Sequence, residues 1–240
     1  MENITTPNDY LKPEQGRLAR YLIYYRQNRA LLFLSILTAL FIILAVLIHS
    51  RDVQTFDTRA SLVIQRWHPL GLDKAMKFFT YLGSIGTVVV VAVLSAIFFA
   101  RLGKIKSVLI IGLSLLSYPL NVLIKDFVER NRPYSTIVRV LSPNSGFSFP
   151  SGHAMISMTV YGTITYLFWI YLKSHRYRAL ILAVATVTVG LIGLSRIYLG
   201  AHWVTDVTGG WIAGLILNLL LAEFHKKLTQ PSTSLPEAAK

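Results

Sequence analysis

The sequence predicts an all-α, polytopic membrane protein with six transmembrane helices, and three observations carry that prediction. Of 240 residues, 53% are hydrophobic and only 15% charged, against roughly 25% charged in an ordinary soluble domain. The chain falls into six mostly apolar runs, each near the ~20 residues that a helix needs to cross a bilayer. None of the runs alternates polar and apolar residues, which argues for helices over a transmembrane barrel. The balance of 24 Lys and Arg against 11 Asp and Glu, a net charge of +13, would also suit a nucleic-acid binder. Such binders are rarely this apolar, and basic cytosolic loops of a membrane protein satisfy both numbers. No nucleic-acid partner is expected. The chain has no Cys, so disulfides, thiolate metal sites and cysteine nucleophiles are excluded.

The runs follow in order. Residues 1–29 carry mixed charge and read as a cytosolic or interfacial segment, with Tyr21–Tyr25 beside Arg20, Arg26 and Arg29 facing lipid headgroups. The first run, 30–48, is too long for the core of a signal peptide and lacks a small-x-small cleavage site, so it reads as the first anchor. The stretch 51–77, with Phe56, Leu62, Ile64 and Trp67, is expected along the outer interface. The second run, 78–100, holds Gly83, Ser84 and Gly86, which favour close helix packing. In the third, 107–124, Tyr118-Pro119 predicts a kink. The fourth is 154–172. The fifth, 179–195, is the shortest and needs flanking residues to complete its span. The sixth, 203–222, contains one charge, Asp206, and the pattern Gly210-x-x-x-Gly214, which predicts helix packed on helix. Residues 30–222 thus form one membrane domain with no internal repeat. The tail 223–240 is cytosolic and, from 230 onward, reads as disordered.

Orientation follows from the connections. With the N-terminus inside, the inner segments 1–29, 101–106, 173–178 and 223–240 hold 14 basic and 5 acidic residues. The outer segments 49–77, 125–150 and 196–206 hold 10 and 6. The positive-inside rule therefore places both termini in the cytosol.

Three polar stretches sit at the outer ends of spans. In the first, Lys125 and Arg132 lie seven residues apart and share a face if the helix continues to Pro133, which would stop it near Arg132. Two cations facing one way suit an anion clamp, and equally suit lipid headgroups. The second, Pro150-Ser151-Gly152-His153, precedes the fourth span. Ser151 can cap that helix, whose N-terminal N–H groups and dipole favour phosphate. Gly152 lets an oxyanion approach the backbone, and His153 at the mouth can donate a proton to a leaving oxygen. An ordinary cap beside an interfacial His is the plainer reading. In the third, Ser195-Arg196 leads to His202 and Asp206, four residues apart. On a helix the carboxylate reaches the imidazole and fixes its tautomer, leaving the other nitrogen free to attack. His49, His68, His175 and His225 read as interfacial or solvent-facing.

Taken together, Lys125-x6-Arg132-Pro133, Pro150-Ser151-Gly152-His153 and Ser195-Arg196-x5-His202-x3-Asp206 resemble the signature of the type 2 phosphatidic acid phosphatase superfamily. No signature position departs, and the likeness covers about 30–222. The resemblance implies a six-helix lipid phosphatase needing no metal or other cofactor. It further implies that Lys125, Arg132 and Arg196, with Ser151 and Gly152, bind the phosphate. His153 would be the general acid, His202 a nucleophile forming a phosphohistidine, and Asp206 the carboxylate orienting it. The implied bacterial substrates are undecaprenyl diphosphate, phosphatidylglycerophosphate or phosphatidic acid, met at the outer face of the cytoplasmic (inner) membrane. A phosphotransferase on the same fold stays open, as does a non-enzymatic transporter or scaffold, although the latter more often has charged or broken helices at mid-membrane.

Because the chain lacks Cys, one Cys introduced within 134–149 is its only thiol. An impermeant thiol reagent on intact cells is expected to label it from outside; exclusive labelling from the cytosol would invert the orientation.

Overall fold

The computed structural model describes residues 29–230; the headgroup-facing anchor in 1–28 and the tail beyond 230 lie outside the described residues. Among the described residues there are nine helices and no strand. They are α1 (Arg29–Leu47), α2 (Arg51–Arg66), α3 (Leu72–Leu82), α4 (Ile85–Arg101), α5 (Ile105–Ser114), α6 (Ser117–Val128), α7 (Gly152–Tyr171), α8 (His175–Tyr198) and α9 (Val204–Thr229). Five spans are long and apolar enough to cross a membrane: α1, α5–α6 together, α7, α8 and α9. The bent pair α3–α4 makes a sixth if counted as one. Each corresponds to one apolar run of the sequence.

Two spans depart from the straight rods that the runs describe. The second starts earlier than predicted, at Leu72, and bends by 51° at Gly83-Ser84. The Tyr161 hydroxyl donates to the Leu82 carbonyl there (2.6 Å), satisfying one group freed by the break. A Cβ on Gly83 would stand 2.5 Å from Ile192 Cγ2, whereas one on Gly86 would meet nothing within 4 Å. Only the first glycine permits close packing. In the third span the break falls at Leu115-Leu116, just before the predicted Tyr118-Pro119 kink, because a proline offers no N–H to the carbonyl one turn back. The short fifth run is completed by its flanks, since α8 extends over 24 residues.

The interior inverts the usual soluble pattern. Large apolar side chains such as Phe33, Ile43, Leu94, Leu123 and Val187 face outward, where lipid tails receive them. Ser and Thr are buried between helices and bond carbonyls of their own helix, as in Ser157 Oγ to His153 O (2.6 Å) and Thr159 Oγ1 to Met155 O (2.8 Å). Each such bond satisfies a hydroxyl that would otherwise stand bare in an apolar interior. The amphipathic α2 obeys the same inversion. Asp57, Ser61 and Gln65, one helical turn apart, are buried, while Phe56, Leu62 and Val63 are exposed. His225 departs from expectation: it is buried rather than interfacial, lying within 3.3 Å of Ser107 Oγ and of the Tyr166 hydroxyl.

Helix α7 sits at the centre, packed against α4, α5, α6, α8 and α9. With no hydrophobic drive between helices in lipid, close approach and dispersion hold such a bundle. Glycines supply the approach along the α7–α9 seam. A Cβ on Gly210 would lie 2.7 Å from Ser151 O, and one on Gly214 2.6 Å from Met158 Cβ. The GxxxG pattern therefore packs helix on helix within the chain. At the head of the seam Ser151 N–H donates to Asp206 O (2.9 Å), fixing the first turns of α7 and α9 side by side. The ends of α6 and α8 reach the same level. The connection 129–150 folds over them, pinned by Leu141 N–H to Leu199 O (2.9 Å) and by Gln65, which donates to Arg139 O and Tyr198 O.

Gly210→Ala forces its new methyl into backbone, so it is expected to cost about 1–3 kcal/mol. Gly190→Ala, whose Cβ would meet nothing within 4 Å, should be neutral or stabilising by up to about 1 kcal/mol. Thermal midpoints in detergent compare the two.

Candidate active site

All eight residues that the motifs single out converge at one end of the bundle, though not by the local geometry the spacing predicts. Helix α6 carries Lys125 in its last turn and ends at Val128, four residues short of Arg132. Glu129 is left-handed (φ 52°) and donates its N–H to Lys125 O. Had the helix continued, Arg130 would have pointed about 140° away from Lys125. The loop instead turns both Arg130 and Arg132 inward. The predicted shared face of Lys125 and Arg132 thus gives way to a helix residue and a loop residue. Lys125 Nζ donates to Phe147 O (2.7 Å) and Ser148 O (3.1 Å), and Arg132 Nε to Gly146 O (2.9 Å).

Ser151 occupies the N-cap position of α7, as the sequence predicts, but its side chain makes no cap bond. Its hydroxyl is buried without a hydrogen-bond partner. Gly152 has a negative φ and owes its small size to α6, since a Cβ would stand 3.0 Å from Asn121 Oδ1. His153, in the first turn of α7, is half-buried. A Cβ on Gly83 would approach its ring to 3.2 Å, so the bend between α3 and α4 makes room for this imidazole. Arg196 lies in the last turn of α8, fully buried, with Nη1 donating to Thr80 Oγ1 at 2.5 Å and Nε without a partner.

His202 and Asp206 do meet, yet not across a helix face. His202 precedes the N-cap Trp203, and Asp206 lies in the first turn of α9. Asp206 Oδ2 accepts the Trp203 N–H (2.9 Å) as in a capping box, and the same oxygen lies 3.3 Å from His202 Nδ1. On the other side of the ring, Arg132 Nη1 lies 3.2 Å from Nε2. An arginine can only donate, so Nε2 is the acceptor and Nδ1 carries the hydrogen. Burial, reinforced by the charges of Arg196, Lys125 and Arg132, holds the His202 pKa well below its ordinary value. The ring is therefore neutral at pH 7. His153 lies within electrostatic reach of His202 and the same three cations.

Three partners went unnoticed in the sequence. Arg130 donates to Asp206 Oδ1 (2.6 Å) and to Asp57 Oδ2 (2.6 Å), so the charged partner of Asp206 is Arg130, with His202 the longer contact. Thr80 steadies Arg196. None has a local signal, because each pairs across more than 70 positions. The one available hint for Asp57 is its spacing with Ser61 and Gln65 on one face of α2. Chemically, the site offers a neutral imidazole with an oriented lone pair, a second imidazole, three cations and two unpaired donors, Ser151 Oγ and Arg196 Nε. That set suits a tetrahedral oxyanion. Among the described residues, no group of three or more His, Asp or Glu is placed to hold a metal ion.

The PAP2 superfamily model matches residues 79–230. Phosphatidylglycerophosphatase B of Bacillus subtilis is 35% identical over 202 residues, 78% of this chain and 92% of that protein. An undecaprenyl-diphosphatase of Sulfolobus acidocaldarius is 30% identical over 130 residues, 53% of this chain and 58% of that one. Among solved structures, the transmembrane PAP2 type phosphatidylglycerolphosphate phosphatase of Bacillus subtilis superposes with a TM-score of 0.76 at 32% identity, covering 82% of this chain and 98% of that one. Aquifex aeolicus LpxE superposes with a TM-score of 0.56 at 26% identity, covering 69% and 93%.

The lowered His202 pKa has a measurable sign. Above about pH 6.5 the ring is neutral in folded and unfolded chains alike; below it the unfolded chain takes up a proton that the folded site resists, so this residue costs stability on acidification. In ¹⁵N-histidine spectra assigned with His202→Asn, its titration midpoint is expected well below 6.5; a midpoint at 6.5 would contradict the burial.

Proposed function

The chain belongs to the PAP2 superfamily, and we propose that it is a metal-independent membrane phosphatase that removes the terminal phosphate of a lipid phosphate or diphosphate through a phosphohistidine on His202. One observation carries the reading: Lys125, Arg132 and Arg196 surround an oriented imidazole, with two buried donors, Ser151 Oγ and Arg196 Nε, that have no protein partner.

In the proposed reaction the phosphate takes these cations and donors onto its oxygens, with the N–H groups at the head of α7, including that of Gly152, facing it. Arg132, which faces His202 Nε2 before substrate arrives, turns to a phosphate oxygen and frees the lone pair. Nε2 attacks phosphorus, the bond from phosphorus to the lipid oxygen breaks, and protonated His153 gives its proton to that oxygen. Asp206 holds Nδ1–H while the ring becomes a phosphorylated cation. Water then attacks the phosphohistidine, His153 takes a proton from it, the P–N bond breaks, and inorganic phosphate leaves. Phosphoryl transfer gathers charge on equatorial oxygens, so fixed cations supply much of what catalysis requires. The names of the relatives support phosphatidylglycerophosphate and undecaprenyl diphosphate as candidate substrates, and phosphatidic acid is the third that the motifs imply. The positive-inside balance supports cytosolic termini and a site at the outer face of the cytoplasmic membrane.

Phosphate release by purified protein across monophosphate and diphosphate lipids identifies the substrate. On the best of them His202→Ala is expected to lower kcat by ~10³-fold or more; turnover near wild type would reject the phosphohistidine route.

A further inference from the structure

We propose that Asp57 and Arg130 are positioning residues of this reaction, a buried carboxylate and guanidinium that hold the Asp206–His202 pair and set its charge. The inference rests on His202 being the nucleophile. Arg130 and Asp57 are almost wholly buried. Arg130 Nη1 donates to Asp206 Oδ1 and to Thr205 Oγ1 (both 2.6 Å), and Nη2 to Asp57 Oδ2 (2.6 Å). Asp57 accepts the Thr205 N–H on Oδ1 (3.0 Å) and the Thr205 hydroxyl on Oδ2 (2.5 Å). Each oxygen of Asp206 consequently has its own task. Oδ1 faces Arg130, with Ser148 Oγ at 3.4 Å, and Oδ2 is left for Trp203 N–H and His202 Nδ1. Tilting the Asp206 carboxylate out of this plane would break the Arg130 contact, so the direction in which an oxygen faces the imidazole is fixed.

The charge count separates this arrangement from a plain structural ion pair. One guanidinium between two carboxylates carries a net charge of −1, one anion more than neutrality requires in a buried place. The neutral His202 ring beside it becomes +1 when Nε2 bonds phosphorus with Nδ1 still protonated. Taken by themselves these four groups sum to zero only when the ring carries its positive charge, while Lys125, Arg132 and Arg196 are there to meet the charge of the phosphate. An environment complementary to the reacting state and not to the resting one is what raises kcat. The carboxylate comes from α2, whose opposite face is apolar and exposed, so a helix outside the motif stretches completes the support.

Full-length protein in detergent–lipid micelles tests the proposal through Asp57→Asn, Arg130→Gln and Arg130→Lys, with monodispersity and thermal midpoint checked first. Asp57→Asn is nearly isosteric and is expected to lower kcat ~10–100-fold, leaving KM and inhibition by vanadate, a phosphate mimic read by the cation clamp, within ~2-fold. Arg130→Gln should lower kcat further, and Arg130→Lys should recover part of it. In an Asp206→Asn background, both Asp57→Asn and Arg130→Gln should lose most of their effect, because they act through Asp206. A folded Asp57→Asn protein with kcat within ~2-fold of wild type overturns the proposal. So do penalties that stay fully additive with Asp206→Asn, or a KM change with kcat unaltered. If Asn at 57 yields no folded protein, Arg130→Lys is judged by the same criteria. His202→Ala is the reference: activity there overturns the nucleophile reading itself, whereas loss there with wild-type kcat in Asp57→Asn overturns this proposal alone.

Discussion

The carboxylate of Asp206 is wholly buried at the head of a transmembrane helix, where a charge without a partner is strongly unfavourable. Arg130 answers that charge at 2.6 Å, and the surrounding architecture follows from getting it there. The guanidinium reaches inward because α6 stops at Val128. Its backbone carbonyl accepts the Ser148 N–H (2.8 Å), which folds the connection back over the helix ends. Its second amino group draws in Asp57 and with it α2. Asp206 returns the tie through its own carbonyl, which accepts the N–H at the head of α7. The α2 helix, the 129–150 connection and the head of α7 are joined to α9 around one residue whose charge must not stand alone.

This polar junction contrasts with everything below it. Between the lipid-facing side chains and the site, hydroxyls such as those of Ser157 and Thr159 bond within their own helix and Tyr161 bonds across to Leu82, and the crevices among the helices are mostly apolar. One of about 590 Å³ lies among α7, α8 and α9, another of about 410 Å³ among α4, α7 and α8. The buried Asp and Arg side chains gather at one end of the central bundle, so recognition of an anionic group and contact with a hydrocarbon chain fall to different surfaces.

The sequence was legible where information is local. Six apolar runs declare themselves by length, and the fixed spacings around Lys125, His153 and His202 lie within single short stretches. What stayed hidden was long-range or conformational. Glu129 adopts a left-handed turn without the glycine that usually announces one, so the helix end was misplaced and the Lys125–Arg132 relation misread. His202 approaches Asp206 through a capping turn that precedes the helix; the same four-residue spacing fits either geometry. Asp57 and Thr80 act on partners more than 70 residues away, and His225 is buried by tertiary contacts that its neighbours in sequence do not betray. The substrate-related motifs speak of phosphate, and outward-facing apolar side chains carry no comparable spacing from which a lipid tail can be read.

The glycine seam between α7 and α9 bears on how the protein meets membranes of different thickness. Bilayers that are too thin or too thick tilt and slide helices against one another at a modest cost per ångström. The helices bearing His153, and leading from His202, interlock where Ser151 and Met158 lie against Gly210 and Gly214, so they tilt as one body. The distance between the two imidazoles is thereby insulated from the mechanical state of the surrounding lipid.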